Sequence, residues 1–198
     1  MKIKLISITK NSISNISNIA KISHGKQLEE SNINEIKEED VLFVKKLIDM
    51  KHFSVLEFAS ATYLIRGISR ACSHQIVRHR HFSFLQVSQR YVELNKPSFV
   101  IPKSIKNGDE NMKFRAYRTL SNSYQCYREL IKLGIKKEDA RFLLPTAVKT
   151  DIVVRGNFRT WREFFEKRIH KSAQWEIKNV AIKIKDDLIK RTDERIWK

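Results

Sequence analysis

Residues 78–91 read Arg-His-Arg-His-Phe-Ser-Phe-Leu-Gln-Val-Ser-Gln-Arg-Tyr. Arg78, Arg80 and Arg90 stand here with His79 and His81, interleaved with Phe82, Phe84, Val87 and Tyr91. Guanidinium groups this close repel one another unless an anion is brought between them, and their planar forks suit phosphates and polarised carbonyls. Upstream, Ile68, Cys72 and Ile76 recur at helical spacing. A helix over 69–79 places Gln75 and Arg78 on a face adjacent to that apolar one. Downstream, an extended segment over 86–92 turns Gln86, Ser88 and Arg90 to one side and Val87, Gln89 and Tyr91 to the other. One helix face and one strand face then line a pocket with amide, hydroxyl and guanidinium groups. The alternative is an ion-paired helix end beside a polar edge strand.

The rest of the chain supplies one core to hold that pocket. Its 198 residues are 41% hydrophobic, enough for a single domain over 1–198 without staples. No apolar run is long enough to span a bilayer, and the start MKIKLISITKNSIS has no secretory character. Two cysteines, Cys72 and Cys126, are too few for a disulfide framework and point to a reducing, cytoplasmic setting. The formal charge of +17 raises the prospect of nucleic-acid binding, but the lysines are scattered and form no dense tail. A positive field also gathers small polyanions such as nucleotides.

Periodicity predicts a mixed α+β domain with long helices. Lys2 to Thr9 reads as a strand covered on both faces, with Ile3 and Leu5 on one and Ile6 and Ile8 on the other. Val41, Val44, Leu47 and Ile48 follow the acidic start Glu38-Glu39-Asp40 of a helix. Ser60 to Arg66 reads as a strand broken by Gly67. The longest helix runs from Lys113 to Leu133, with Tyr117, Leu120, Tyr124, Tyr127 and Ile131 on one stripe and Gly134 as its stop. A short helix from Lys137 ends at Pro145. Thr150 to Val154 is strand-like and Thr160 to Ile169 helical, with Thr160 and Glu163 forming a capping box. Ser172 to Lys190 carries Ala173, Ile177, Val180, Ala181, Ile184 and Leu188 on one face.

The spacing Arg-His-Arg, seven residues, Ser-x-Arg resembles the signature of the flavin-dependent thymidylate synthases. Further segments are similar in order and spacing from about residue 20 to residue 180. They are Ala20-Lys21-Ile22-Ser23, His52-Phe53-Ser54-Val55-Leu56-Glu57, Arg141-Phe142-Leu143-Leu144-Pro145, the pair Asn157 and Arg159, Arg168, and Ala173-Gln174-Trp175-Glu176-Ile177. The resemblance implies that family's α+β fold, with a mixed or antiparallel sheet and long helices. It also implies reductive methylation of dUMP to dTMP with FAD as cofactor, methylenetetrahydrofolate as carbon donor and NADPH as reductant. The implied assembly is a homotetramer with active sites at subunit interfaces.

Carried over by position, the resemblance implies that Ser23, Ser54, Arg78, His79, Arg80, Gln86, Asn157 and Arg159 hold FAD. It implies that Gln75, Arg78, Gln86, Ser88, Gln89, Arg90, Arg141 and Arg168 hold dUMP. Ser88, Arg90 and Arg141 suit the phosphate. Arg168 is the catalytic candidate, because a guanidinium at the uracil edge stabilises negative charge over the ring and enriches the carbon that accepts the methyl group.

Three departures from the family pattern stand out. Phe58 replaces a histidine, Leu85-Gln86 stands where relatives often carry Asn-Glu, and Glu163 stands where an asparagine can meet the flavin. Gln86 keeps hydrogen-bonding capacity but no carboxylate. Neither cysteine is placed as a nucleophile: Cys72 falls on the buried helix face and Cys126 lies mid-helix. Ser88 has no base beside it. His24, His74, His81 and His170 read as surface or packing residues, and no metal is expected. No GxGxxG fingerprint appears, so a Rossmann domain is not expected. Two rivals to the enzyme are a nucleic-acid-binding module, on charge and aromatic-basic alternation, and a relative that keeps FAD but no longer methylates. The expected protein binds no nucleic acid and no membrane.

Overall fold

A computed structural model describes residues 1–23, 25, 37–96 and 98–198; His24 lies outside these. In chain order the elements are β1 (Lys2–Ile8), α1 (Ser12–Ile22), α2 (Glu38–Asp49), β2 (Ser60–Ser69), α3 (Arg70–Ile76), β3 (Ser83–Gln86), α4 (Lys103–Lys106), α5 (Glu110–Lys132), α6 (Lys137–Ala140), β4 (Lys149–Asn157), α7 (Phe158–Ile169) and α8 (Trp175–Arg191). Short 3₁₀ turns cover Phe53–Phe58, Arg141–Leu143 and Glu194–Ile196. The strands form an antiparallel sheet in the order β1-β2-β4-β3. Two compact units divide the chain. The first contains Met1, 66–76 and 85–152, and the second contains 2–65, 77–84 and 153–198.

The second unit holds the larger core. Ile13 and Ile16 of α1, Val44 of α2, Ile177, Val180 and Ile184 of α8, and Trp161 and Phe164 of α7 are all buried. The face of α2 read from the sequence is buried as expected, as is the stripe from Ile177 to Leu188. Ala173 precedes α8, which Gln174 caps by accepting the Glu176 and Ile177 N–H groups at 2.9 and 3.2 Å. Aromatic rings fill the centre: Trp161 meets Phe82 at 4.4 Å and Tyr63 at 5.6 Å between centroids. The edge-on and tilted geometries suit ring quadrupoles. β1 departs from expectation, because Ile6 is exposed and only one face is covered.

The first unit is built around α5. Asp109 caps it, accepting the Met112 N–H at 2.7 Å, and the turn at Gly134 takes a positive φ of 84°. The predicted stripe is present, but only Tyr127 of this helix is buried. Its hydroxyl accepts the Leu94 N–H at 3.1 Å, while the Tyr124 hydroxyl donates to the Asn95 carbonyl at 2.6 Å. Met112, Phe114 and Tyr117 are exposed.

Four local expectations are corrected. Gly67 does not end β2: it sits inside the strand at φ +68°, a conformation glycine adopts without a Cβ penalty, and pairing continues to Ser69. The helix predicted over 69–79 covers only 70–76. Ser69 Oγ opens it by accepting the Cys72 N–H at 3.0 Å. It stops before the Arg-His-Arg segment because Phe82 N–H turns back to the His79 carbonyl at 3.1 Å. Arg78 therefore lies beyond the helix, and its helix-face pairing with Gln75 does not form. Extended structure occupies 83–86 instead of 86–92. After Gln86 the chain turns, with the Arg90 N–H reaching Ser88 Oγ at 3.2 Å, so the predicted alternation of Gln86, Ser88 and Arg90 fails. Finally, α7 is capped by Asn157, which accepts the Thr160 N–H at 2.8 Å, and Glu163 pairs with Arg159 at 3.3 Å.

Candidate active site

In the second unit, the Arg-His-Arg segment owes its position to Phe82. This ring is buried against Trp161 and Phe164, and it fits because residue 156 is glycine. A Cβ there would lie 2.3 Å from two Phe82 ring carbons. With Phe82 anchored, residues 78–81 lie along α7. Arg78, His79, Arg80, His81, Thr160, Glu163, Lys167 and Arg168 line a cavity of about 300 Å³. Among the described residues Glu163 is its sole acidic one, and it is itself engaged by Arg159. Four permanent cations around so small a space make it an anion site.

His79 occupies the inner wall. Its ring is half-buried and packs edge-on against Phe164 at 4.9 Å. Burial foremost, then the charges of Arg168 and Lys167, pushes its pKa down to about 4. The imidazole is thus neutral near pH 7. Arg168 Nε donates to His79 Nε2 at 2.8 Å. An arginine can only donate, so Nε2 is the bare nitrogen and the ring proton sits on Nδ1.

Other expected residues of this unit lie around neighbouring hollows. Asn157 and His81 line a cavity of about 460 Å³ with Glu57, Ser60 and Arg155. The Asn157 carbonyl oxygen is engaged in capping α7, also accepting the Thr160 hydroxyl at 2.8 Å. Arg159 lines a larger cleft of about 860 Å³ with Arg162, Glu163 and Trp197. It pairs with Glu57 at 2.7 Å, and that pairing, first of all, raises its already high pKa. Ser54 is exposed on the turn Phe53–Phe58. Ser23 ends α1, donating to the Ala20 carbonyl at 2.8 Å.

In the first unit, Gln86 Nε2 donates to Ser73 Oγ at 2.9 Å and Thr150 Oγ1 at 3.1 Å. Because the Ser73 hydroxyl already donates to the Arg70 carbonyl, Ser73 Oγ must accept, which fixes the amide orientation. Arg90 and Arg141 converge on Glu138. Arg90 pairs with its carboxylate at 2.9 Å, and Arg141 donates to its carbonyl at 3.0 Å. Gln75 sits half-buried on α3, and Ser88 and Gln89 are half-buried in the turn after β3.

Arg70 belongs with this group and was missed by sequence reasoning. It donates to the Val87 carbonyl at 2.7 Å, beside Ser88, while its buried Nε has no hydrogen-bond partner. Burial, then the charge of Arg141, lowers its pKa. Its signal in the sequence was weak: a single arginine at the end of a strand.

Among the described residues no cluster of three or more His, Cys, Asp or Glu side chains could hold a metal, and no helix is long and apolar enough to cross a membrane. Cys72 is buried on α3, as its helix face predicted, and Cys126 is exposed on α5.

Comparison with known proteins draws these features together. The family model described as thymidylate synthase complementing protein matches residues 4–192 and so runs through both units. The flavin-dependent thymidylate synthase of Pyrococcus abyssi is 38% identical over 98% of this chain and 82% of its own length, and that of Pyrococcus furiosus is equally similar. The Mycobacterium avium enzyme of the same name is 41% identical over 71% of this chain and 62% of its own. The crystal structure of a UMP/dUMP methylase from Streptomyces cacaoi, bound with 5-Br dUMP, superposes with a TM-score of 0.83 over 98% of this chain and 92% of that one, at 21% identity. That likeness establishes the fold. With the relatives' identity and the family match, it follows that this chain belongs to the flavin-dependent thymidylate synthases.

Proposed function

We propose that this enzyme methylates dUMP reductively to dTMP with bound FAD, taking the carbon from methylenetetrahydrofolate and reducing equivalents from NADPH. The carrying observation is the cationic cavity between the Arg-His-Arg segment and α7, with Arg168 held on its wall. Its excess of guanidinium over carboxylate fits a phosphate-bearing dinucleotide such as FAD. When bound, that cofactor supplies hydride chemistry.

The chain's own residues divide the remaining work. Ser23, Ser54, Arg78, His79, Arg80, Gln86, Asn157 and Arg159 are the proposed flavin-side groups. Gln75, Gln86, Ser88, Gln89, Arg90 and Arg141 bind dUMP with Arg78 and Arg168. Ser88 and the guanidinium groups of Arg90 and Arg141 clamp the phosphate, and the unpartnered Nε of Arg70 joins them. Arg168 faces the uracil edge and stabilises the negative charge that makes the ring carbon nucleophilic. Gln86 presents its carbonyl oxygen to ligand, since its amide hydrogens are engaged by Ser73 and Thr150.

No cysteine needs to attack the uracil, because Cys72 is sealed in the core and Cys126 lies on α5. We place the enzyme in the cytoplasm as a homotetramer whose active sites form at subunit junctions. Exposed Met112, Phe114 and Tyr117 on α5 are apolar surface suited to such a junction.

Turnover of dUMP with FAD, NADPH and methylenetetrahydrofolate, followed by mass spectrometry of the nucleotide, tests the assignment. The product gains a methyl group, and a Cys72→Ala/Cys126→Ala variant still forms it. Loss of product in a folded, flavin-loaded variant lacking both thiols would instead indicate a covalent cysteine.

A further inference from the structure

We infer that His79 is the positioning residue for Arg168, holding its guanidinium through an acceptor nitrogen while its own ring is locked by aromatic packing. The inference rests on the catalytic role proposed for Arg168. Arg168, half-buried in the last turn of α7, has several rotatable bonds, and a uracil-activating group gains its effect from being in place before charge develops. Here the tether is short: Arg168 Nε to His79 Nε2 is 2.8 Å. The histidine cannot easily swing away. Its ring stands edge-on to Phe164 at 4.9 Å and tilted to Phe82 at 6.1 Å, and Phe82 is seated against Gly156.

The charges that face the ring are of one sign apart from Glu163. Arg78, Arg80 and His81 flank it in its own segment, and Glu163, Lys167 and Arg168 face it from α7. Burial of the ring first, and then the charges of Arg168 and Lys167, oppose protonation and preserve the acceptor. The middle residue of the Arg-His-Arg signature thus carries a task separate from anion binding. Its Nε2 serves Arg168, and its Nδ1–H remains the donor.

A double-mutant cycle read out on dUMP affinity tests this, because affinity needs no turnover. Isothermal titration of dUMP into FAD-loaded protein compares wild type, His79→Phe, Arg168→Ala and the double variant. His79→Phe keeps an aromatic ring but removes the acceptor. It is expected to weaken dUMP roughly fivefold to fiftyfold in wild type, yet less than about twofold in the Arg168→Ala background. His79→Gln, which restores an acceptor near the Nε2 position, recovers most of the affinity and of kcat.

Equal weakening by His79→Phe in both backgrounds would overturn the inference, as would a His79→Gln variant no better than His79→Phe with its FAD retained. Because His79 also stands among the proposed flavin-side groups, each titration is run at saturating FAD with occupancy read from the flavin absorbance, so that a weaker hold on flavin is not read as lost dUMP affinity. Failure of the functional reading looks different: the wild type would bind dUMP but form no dTMP, while the cycle would still report the coupling of the two residues.

Discussion

Arg168 and His79 make opposite demands on protons at short range. The guanidinium can only donate, whereas the imidazole accepts its hydrogen bond only when neutral. Arg168→Ala should lower kcat roughly 100- to 1,000-fold at equal flavin occupancy, the usual cost of removing one preorganised donor. Stopped assays on protein matched for FAD absorbance check this, and a loss below tenfold would place the chemistry elsewhere. Stability carries the signature of His79. Its folded pKa of about 4 lies below the ordinary 6.5, so the unfolded chain takes up a proton in that interval that the native chain refuses. The histidine's contribution is whole above pH 6.5 and is lost as pH falls toward 4. Urea unfolding at stepped pH should show stability rising across this window in wild type and rising less steeply in His79→Phe. Gln86 makes a third residue-scale case. Gln86→Leu strips Ser73 Oγ and Thr150 Oγ1, both on buried residues, of a shared donor, and should destabilise by roughly 1–3 kcal/mol. Thermal unfolding measures it.

At the scale of elements, the site depends on how one short segment is seated. Residues 77–84 contain no helix turn of their own before β3; they are held by Phe82 in the space left by Gly156. Gly156→Ala would drive a methyl group into that ring. It should cost about 1–3 kcal/mol and release FAD, with Phe82→Leu partly restoring both. A flavin-loaded Gly156→Ala variant of wild-type stability would refute this account. The same contact explains what the sequence could and could not convey. Long periodic elements were legible, because α2, α5 and α8 each repeat apolar residues over several turns. The end of α3, the strand at 83–86 and the cap of α7 were not. The first two are decided by partners distant in sequence: Phe82 by Gly156 and Trp161, and β3 by β4, where the Val87 N–H reaches the Asp151 carbonyl at 3.0 Å. The third is local: Asn157 and not Thr160 takes the cap of α7, accepting the Thr160 N–H at 2.8 Å. The Gln75–Arg78 helix face failed with the first of these: α3 ends at Ile76 and Arg78 lies beyond it. The resemblance to a family, by contrast, rested on residue identities and spacing, so it survived these local errors. Arg70 escaped because nothing in one isolated arginine announces that its Nε will be buried without a partner.

For the whole molecule, charge and assembly are linked. A net charge of +17, with Arg78, Arg80 and Arg168 around one cavity, attracts polyanions. The polyanions proposed for this enzyme are a nucleotide and a dinucleotide cofactor. In the proposed homotetramer the exposed apolar residues of α5 serve as a subunit contact: Phe114→Asp with Tyr117→Asp should then shift the protein toward smaller species in analytical ultracentrifugation. An unchanged sedimentation profile would move the interface to another face. Whether flavin and dUMP share one site on this protein is decided by the absorption spectrum of the purified protein, recorded anaerobically while NADPH is added with and without dUMP. Flavin bands that bleach, and bleach faster or further when dUMP is present, are the predicted result. A protein that shows no flavin band, and acquires none when FAD is supplied, would contradict it.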